Sequence, residues 1–180
     1  KYNFFNPKFG LSYDLHKNLN IYTSFAIANK EPNRDDFVQS SPMSRPKSEQ
    51  LLDLEIGAKY ATKNIYFAAN IYNMQYYNQL VLNGEINNVG AYNRVNVESS
   101  FRRGTELEFN AQLNKYFSLT GNFSLSQNKI VDFIQFIDSS DVNYTIYKQY
   151  KKSYKNSDIS FSPNIVSSFA LNINPIKNLE

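Results

Sequence analysis

A two-residue alternation of apolar and polar side chains runs through most of the 180-residue chain. The alternating segments are residues 9–15, 19–28, 52–60, 65–82, 106–113, 117–126 and 164–173. Successive side chains of a β-strand point to opposite faces, so each segment has one apolar and one polar face. No segment sustains the 3.6-residue period of a helix. The pattern predicts an all-β fold with about seven long strands.

The connections between these segments alternate in length. Short, Asn-containing connections suit tight antiparallel hairpins, and they lie at His16–Asn18, Thr62–Asn64, Asn114–Lys115 and Pro175–Asn178. Long polar connections lie at about 30–47, 83–100 and 133–158. In an up-and-down meander, alternate connections fall at opposite ends of the sheet. We therefore expect short turns at one end and long loops at the other.

Strand length and the polar face favour a membrane barrel over a soluble β-sandwich. Several alternating runs span roughly 9–15 residues, which suits a tilted transmembrane strand, whereas sandwich strands usually have about 5–6. The polar faces carry hydroxyl, amide and charged groups, as a wet lumen does. Tyr13, Tyr60 and Tyr116 lie beside short turns, where an aromatic girdle would meet the membrane interface. We predict a section of an antiparallel up-and-down transmembrane β-barrel, with the soluble sandwich as the alternative.

Composition removes several classes of function. The chain has no Cys and one His, which excludes a disulfide scaffold and a thiolate metal site and argues against a multi-histidine site. A net charge of +3 is too small to indicate a nucleic-acid partner. No run approaches the 18 apolar residues of a membrane-spanning helix.

Three carboxylates are the strongest enzyme candidates. Glu106 and Glu108 lie on the same face of one predicted strand, where their positions are about 7 Å apart along the strand. Glu55 lies on an earlier predicted strand. A pair of carboxylates is the machinery of glycoside hydrolysis. Because no other catalytic feature converges on them, we favour a role in lining a wet lumen, paired with Arg103, Lys59 or residues of another domain. We predict no enzyme, no cofactor and no catalytic or metal-binding residue.

Several other residues are candidates for a binding role, and each can also be explained by a purely structural role. His16 suits a solvated turn. The Arg102–Arg103 pair suits an anion clamp, although a solvated or lumen-facing pair is the favoured reading. An alternation of tyrosines and lysines resembles a single-strand nucleic-acid surface, but within a long external loop we favour surface contact or ligand capture. Its members are Tyr144, Tyr147, Lys148, Tyr150, Lys151, Lys152, Tyr154 and Lys155. Further loop residues open to a ligand are Arg34, Tyr92, Arg94, Phe133 and Phe136.

Three motifs along the chain carry a family resemblance. Lys47–Tyr60 reads KSEQLLDLEIGAKY, with Glu49, Glu55, Gly57 and Tyr60 in the positions of a strand of TonB-dependent outer-membrane receptors. Ser48 stands where that family often has Pro. The second motif is Asn88–Gly90 followed by Arg103–Glu108, with residues 91–102 as a small insertion; the third is Pro7–Tyr13 followed by Ile21–Phe25. The chain resembles the later part of that family's β-barrel.

The resemblance implies a 22-stranded barrel with a plugged lumen, of which residues 1–180 would be about a third. We expect the plug domain and the C-terminal strands to lie outside this segment. The implied function is active uptake of a scarce nutrient, such as an iron–siderophore complex, across the outer membrane of a Gram-negative bacterium. The implied partners are outer-membrane lipid, a small nutrient ligand held by unknown residues, and TonB and the plug through parts not present here.

The alternative function is a surface-exposed β-barrel or β-sandwich that serves as an adhesin or carbohydrate-binding module. The strand faces discriminate between the two. An outer-membrane barrel places the apolar faces in an outward band about 25 Å tall. A sandwich packs them into a dry core between two sheets. The faces in question are Leu52, Leu54 and Ile56, and Leu107, Phe109 and Ala111.

Overall fold

A computed structural model describes residues 2–38, 40, 45–86, 92–140 and 147–173. Within them the chain forms one antiparallel sheet of eight strands and one short helix. The strands are β1 (Lys8–His16), β2 (Leu19–Lys30), β3 (Glu49–Ala61), β4 (Ile65–Ile86), β5 (Tyr92–Gln112), β6 (Phe117–Ser140), β7 (Tyr147–Asp158) and β8 (Ile165–Ile173), and helix α1 spans Arg34–Val38. Consecutive strands from β1 to β7 are neighbours, which confirms the predicted all-β, up-and-down architecture. No helix among these residues is long and apolar enough to cross a membrane.

Strand β6 has two partners on one side. Its first half pairs with β8, from Phe117 opposite Ile173 to Leu125 opposite Ile165. Its second half pairs with β7, from Lys129 opposite Asp158 to Ser140 opposite Tyr147. β7 and β8 therefore follow each other along the same edge of β6, joined by residues 159–164. Strand β7 is the one that the alternation did not predict.

Two of the three predicted long loops are largely strand, so those predictions were wrong. Strands β4, β5 and β6 are 22, 21 and 24 residues long and continue through most of the regions 83–100 and 133–158. The third connection carries α1. The turns after β1, β3 and β5 are short and lie at the other end, as predicted. The fourth predicted turn, at Pro175–Asn178, lies outside the described residues.

The alternation is obscured in the long hairpins because it changes phase there. Val97 and Ser100 are three residues apart, yet both are buried. Opposite this point, Asn78 has a positive φ of 53°. In the long hairpins, a small cluster of buried residues is formed by Val97, Ile130 and Ile159, with Val81 and Phe133 packed against it. The hairpins have their own core, which a strict two-residue pattern does not reveal.

Between the short turns and the long hairpins, most apolar side chains of all strands except β7 lie on one face of the sheet, called here the apolar face. One row across the sheet consists of Leu11, Thr23, Ile56, Ile71, Thr105, Leu125 and Ile165. Ile56 and Ile71 are 56% and 61% exposed. The dry core of a two-sheet sandwich is therefore not formed by these faces. Stretches of about nine residues per strand match the transmembrane length.

Candidate functional site

The opposite face of the sheet, called here the polar face, carries an ordered network of hydrogen bonds. Tyr22 on β2 lies across Gly57 on β3, and its hydroxyl donates to Asn70 Oδ1 on β4 (3.2 Å). The Asn70 amide in turn donates to Glu55 Oε2 (3.2 Å). The Lys59 ammonium lies 5.0 Å from the centre of the Tyr22 ring. The network joins three neighbouring strands, so these polar side chains are held in place.

Glu106 and Glu108 lie on this polar face, beside a cavity of about 390 Å³ that Lys59 and Tyr22 also line. Both residues are exposed. In the part of the chain that the structure describes, no three His, Cys, Asp or Glu residues are grouped to hold a metal ion. The arrangement leaves both carboxylates accessible on the polar face, beside the Lys59 ammonium.

Arg102 and Arg103 lie on opposite sides of the sheet, which excludes both an anion clamp and a pair that faces the lumen together. Successive residues of β5 face opposite sides of the sheet. Arg102 lies on the polar face, where its Nη1 donates to Ser162 Oγ (2.8 Å). Arg103 lies on the other side, where its Nε and Nη2 donate to Gln127 Oε1 (3.2 and 2.9 Å) above the Phe101 ring. Arg103 therefore cannot pair with Glu106 or Glu108.

Two further cavities lie on the polar face near the end formed by the long hairpins, and the one nearer the short turns is called here the lower cavity. The lower one, of about 350 Å³, is lined by Arg102, Tyr72 and Asn128. The upper one, of about 440 Å³, is lined by Arg94, Phe133 and Gln135 together with residues of the buried hairpin cluster. Carboxylates line both cavities as well, Glu55 and Glu106 the lower one and Asp158 the upper one. Each lining therefore combines charges of both signs with amide and aromatic groups.

Connecting segments hold the long hairpins in position. The Arg94 guanidinium contacts the Asp36 carboxylate of α1 at 3.8 Å. The Asn96 side chain binds both backbone groups of Lys47, accepting from its N–H (2.7 Å) and donating to its carbonyl (3.0 Å). The connection before β3 is thereby fastened to β5, and it fixes the wall of the upper cavity at Arg94.

The other sequence-based candidates are scattered. His16 ends β1 and is exposed, and Arg34 begins α1. Phe136 lies under the Lys151 ammonium at 5.1 Å. The tyrosines and lysines from residue 148 onward lie on β7 and not in a loop, while Tyr144 and the Asn88–Gly90 motif lie outside the described residues. Tyr92 begins β5.

Comparison with known families decides the class of the chain. A model of the family described as "TonB dependent receptor-like, beta-barrel" matches residues 1–174. The chain belongs to this family. A comparison with curated protein sequences found no match.

Solved structures of TonB-dependent receptors share the fold of this receptor segment. The siderophore receptor PiuA from Acinetobacter baumannii aligns over 94% of the chain with a TM-score of 0.66 and 16% identity. The ferric-catecholate import receptor Fiu from E. coli K12 aligns over 90%, with a TM-score of 0.53 and 17% identity. The copper transporter OprC aligns over 67%, with a TM-score of 0.58 and 17% identity. The chain spans only 24%, 27% and 20% of those three chains, respectively.

The sequence reading missed one part of this receptor wall. Residues 159–164, between β7 and β8, bring Phe161 and Ser162 to the polar face beside Arg102. The only available signal was Pro163 next to serines, which marks a break in a strand. That signal does not predict the direction of the neighbouring side chains. Their direction is defined by the pairing of β6 with both β7 and β8.

Proposed function

We propose that this chain forms part of the wall of an outer-membrane receptor that takes up a scarce nutrient, of which an iron–siderophore complex is the leading candidate. Membership in the TonB-dependent receptor family supports the receptor class. The similar structures include siderophore receptors, at identities of 16% for PiuA and 14% for PirA from Pseudomonas aeruginosa. At those identities the likeness supports the fold, and the nutrient is our inference.

The observation that carries the proposal is the division of the sheet into two solvent-accessible faces. The apolar face is exposed over about nine residues per strand, as contact with lipid requires. The polar face holds a network in which Tyr22, Asn70 and Glu55 are joined by hydrogen bonds. A sheet with this division separates a membrane from an aqueous interior.

The chain's own residues would bind and guide the nutrient and would make or break no covalent bond. The long hairpins β4–β5 and β6–β7 would form part of the outer vestibule, where Arg94 and Gln135 face the upper cavity. The polar face below would line the route, with Arg102 at its upper end. The plug that closes the route and the contact with TonB, which supplies the energy, would be provided by parts of the protein outside these residues.

The proposal is tested by iron-limited growth and by uptake of ⁵⁵Fe-labelled siderophores in a strain whose gene for the full-length receptor is deleted. We expect loss of uptake of at least one ferric siderophore, restored by a plasmid copy and abolished when TonB is removed. Growth with abundant iron is the control. Unchanged uptake of every ferric siderophore in the deletion strain, with growth impaired on another nutrient instead, would reject iron as the cargo.

A further inference from the structure

Arg103 is a charged residue on the apolar face, at the border where that face becomes polar. Its neighbour in the row toward the short turns is Thr105, which lies between Ile71 and Leu125. Arg103 itself is exposed. It takes part in none of the ion pairs between described residues. A cation that borders a hydrocarbon layer without an ionic partner needs an anion or water from outside the chain.

The Arg103 guanidinium is held in one orientation by its neighbours. Its Nε and Nη2 both donate to Gln127 Oε1 (3.2 and 2.9 Å), and its Cζ lies 4.6 Å from the centre of the Phe101 ring. A guanidinium has five N–H groups. Two of them are used by Gln127, so three remain for a further acceptor. Because the planar arrangement of these donors matches the oxygens of a phosphate, Arg103 presents a preorganised anion contact.

The charges around Arg103 leave it as the uncompensated cation of this patch. Lys129, opposite Phe101 on the same side of the sheet, contacts the Asp158 carboxylate at 2.6 Å, so these two charges cancel. The residues opposite Arg103 on both neighbouring strands are the uncharged amides Asn73 and Gln127. The patch is therefore complementary to an anion.

An apolar groove of about 630 Å³ lies on the same face, nearer the short turns. It is deepened by Ala58 and Ala69, which are opposite each other on β3 and β4 and have short side chains. Both strands, like β5, have a partner on each side, so this depression does not depend on a free edge of the sheet. Ala69 precedes Asn73, the partner of Arg103, by four residues, or about 13 Å along the strand.

We propose that Arg103 and this groove form one binding site for a phosphate-bearing membrane lipid. Arg103 binds the phosphate, and one acyl chain lies in the groove beside Ala58 and Ala69. The hydrocarbon layer of one leaflet is about 15 Å thick, half of the bilayer core. One lipid molecule therefore spans the distance between the cation and the groove, which a free anion does not. The inference uses the exposure of the apolar face to lipid and is independent of the nutrient.

Binding of a defined lipid tests the site. The full-length receptor is stripped of lipid in detergent and titrated with dioleoylphosphatidic acid, and native mass spectrometry measures the bound fraction. Dioleoylglycerol supplies the same chains without the phosphate, and inorganic phosphate supplies the anion without the chains. We expect saturable binding of the phosphatidic acid alone. Equal binding of dioleoylglycerol would reject a phosphate contact, and equal binding of inorganic phosphate would show a free-anion site instead.

Two variants test the two halves of the site. We expect Arg103→Gln to raise the half-saturating concentration of phosphatidic acid about tenfold, because charge-assisted hydrogen bonds are lost. Ala69→Leu should raise it about fourfold for each methylene group displaced from the groove. The matched controls are Lys59→Gln, which removes a cation from the polar face, and Ala111→Leu, which enlarges an apolar-face residue outside the groove. Both controls should bind like the unaltered receptor.

The comparison is restricted to folded, heat-modifiable receptor. Arg103→Gln should fold, since a neutral side chain is inserted at the bilayer edge more easily than a charged one. Arg103→Lys, which keeps the charge and loses the planar fork, should bind with intermediate affinity. Unchanged half-saturation in Arg103→Gln overturns the inference. Unchanged half-saturation in Ala69→Leu overturns it as well, because it would show ordinary contact with surrounding lipid. A failure of iron uptake would leave these results unaffected, since no nutrient enters the measurement.

Discussion

At the scale of the residue, glycines on the polar face leave room for tyrosines of neighbouring strands. A Cβ built on Gly57 would lie 2.6 Å from Cε1 of Tyr22, and one built on Gly104 would lie 2.9 Å from the Tyr72 hydroxyl. An aromatic ring that covers a strand glycine shields the backbone there. The Tyr22 hydroxyl is in turn positioned to donate to Asn70.

We predict that Gly57→Ala lowers the free energy of unfolding of the full-length receptor by about 1–3 kcal/mol, because the Tyr22 ring must move to accommodate the methyl group. Thermal unfolding in detergent measures the effect. The matched control is Gly10→Ala, also on the polar face, where the nearest atom lies 3.7 Å from the added Cβ. Equal stability of the two variants would show that the Tyr22 ring is not held over Gly57.

At the scale of the element, the long hairpins extend well beyond a membrane-spanning length. Strand β6, with 24 residues, would reach about 80 Å when extended, and roughly the first nine residues cover the apolar band. Beyond the band, Lys129 and Lys155 form ion pairs with Asp158 and Asp132 between β6 and β7. These pairs are partly or largely exposed and contribute little, so the buried cluster around Ile130 is the main support of this end.

We predict that Ile130→Ala destabilises the β6–β7 hairpin by about 2–5 kcal/mol, because it removes a side chain that is 3% exposed. Hydrogen exchange of the hairpin in the full-length receptor should become faster while that of β1–β3 stays unchanged. The control on the same strand is Ile134→Ala, where the side chain is 51% exposed. A loss of protection in both variants to the same extent would contradict a core at Ile130.

At the scale of the whole molecule, the sheet is stable only with a different environment on each face. Val97, Ile130 and Ile159 are the buried hydrophobic residues in the described part of a chain that is 42% hydrophobic. Most of the other apolar side chains are therefore partly or largely exposed in the described residues. Small residues also shape that surface, since Ala58 and Ala69 line an apolar groove of about 630 Å³ on this side.

We predict that Ala69→Lys and Ala68→Lys have opposite outcomes although the residues are neighbours on β4. Ala69 lies on the apolar face opposite Ala58 and Leu107, so a lysine there should cost about 2–4 kcal/mol in the bilayer. Ala68 lies on the polar face between Lys59 and Glu108. The amount of folded, heat-modifiable receptor in outer-membrane fractions measures the difference. Equal amounts of the two variants would contradict a lipid-facing apolar side.

The alternation of side chains determined the class of fold, the short turns and the assignment of residues to faces. It succeeded because membrane and water impose the same two-residue rule on every strand, as at Leu54 and Glu55 or at Leu107 and Glu108. The same rule, applied to neighbouring residues, already separates Arg102 from Arg103. The motifs around Glu49–Tyr60 added the family, which the match over residues 1–174 confirmed.

Only the tertiary structure decided how strands β4 to β7 are arranged beyond the apolar band. The length of β4–β7 depends on hydrogen bonds between distant residues and on a cluster that joins Val97 to Ile130 and Ile159, contacts for which a local pattern carries no signal. The same holds for Phe161, because its direction follows from the way β6 changes partner from β8 to β7. A local rule predicts the part of the sheet that has one apolar and one polar face, whereas the end formed by the long hairpins is built from long-range contacts.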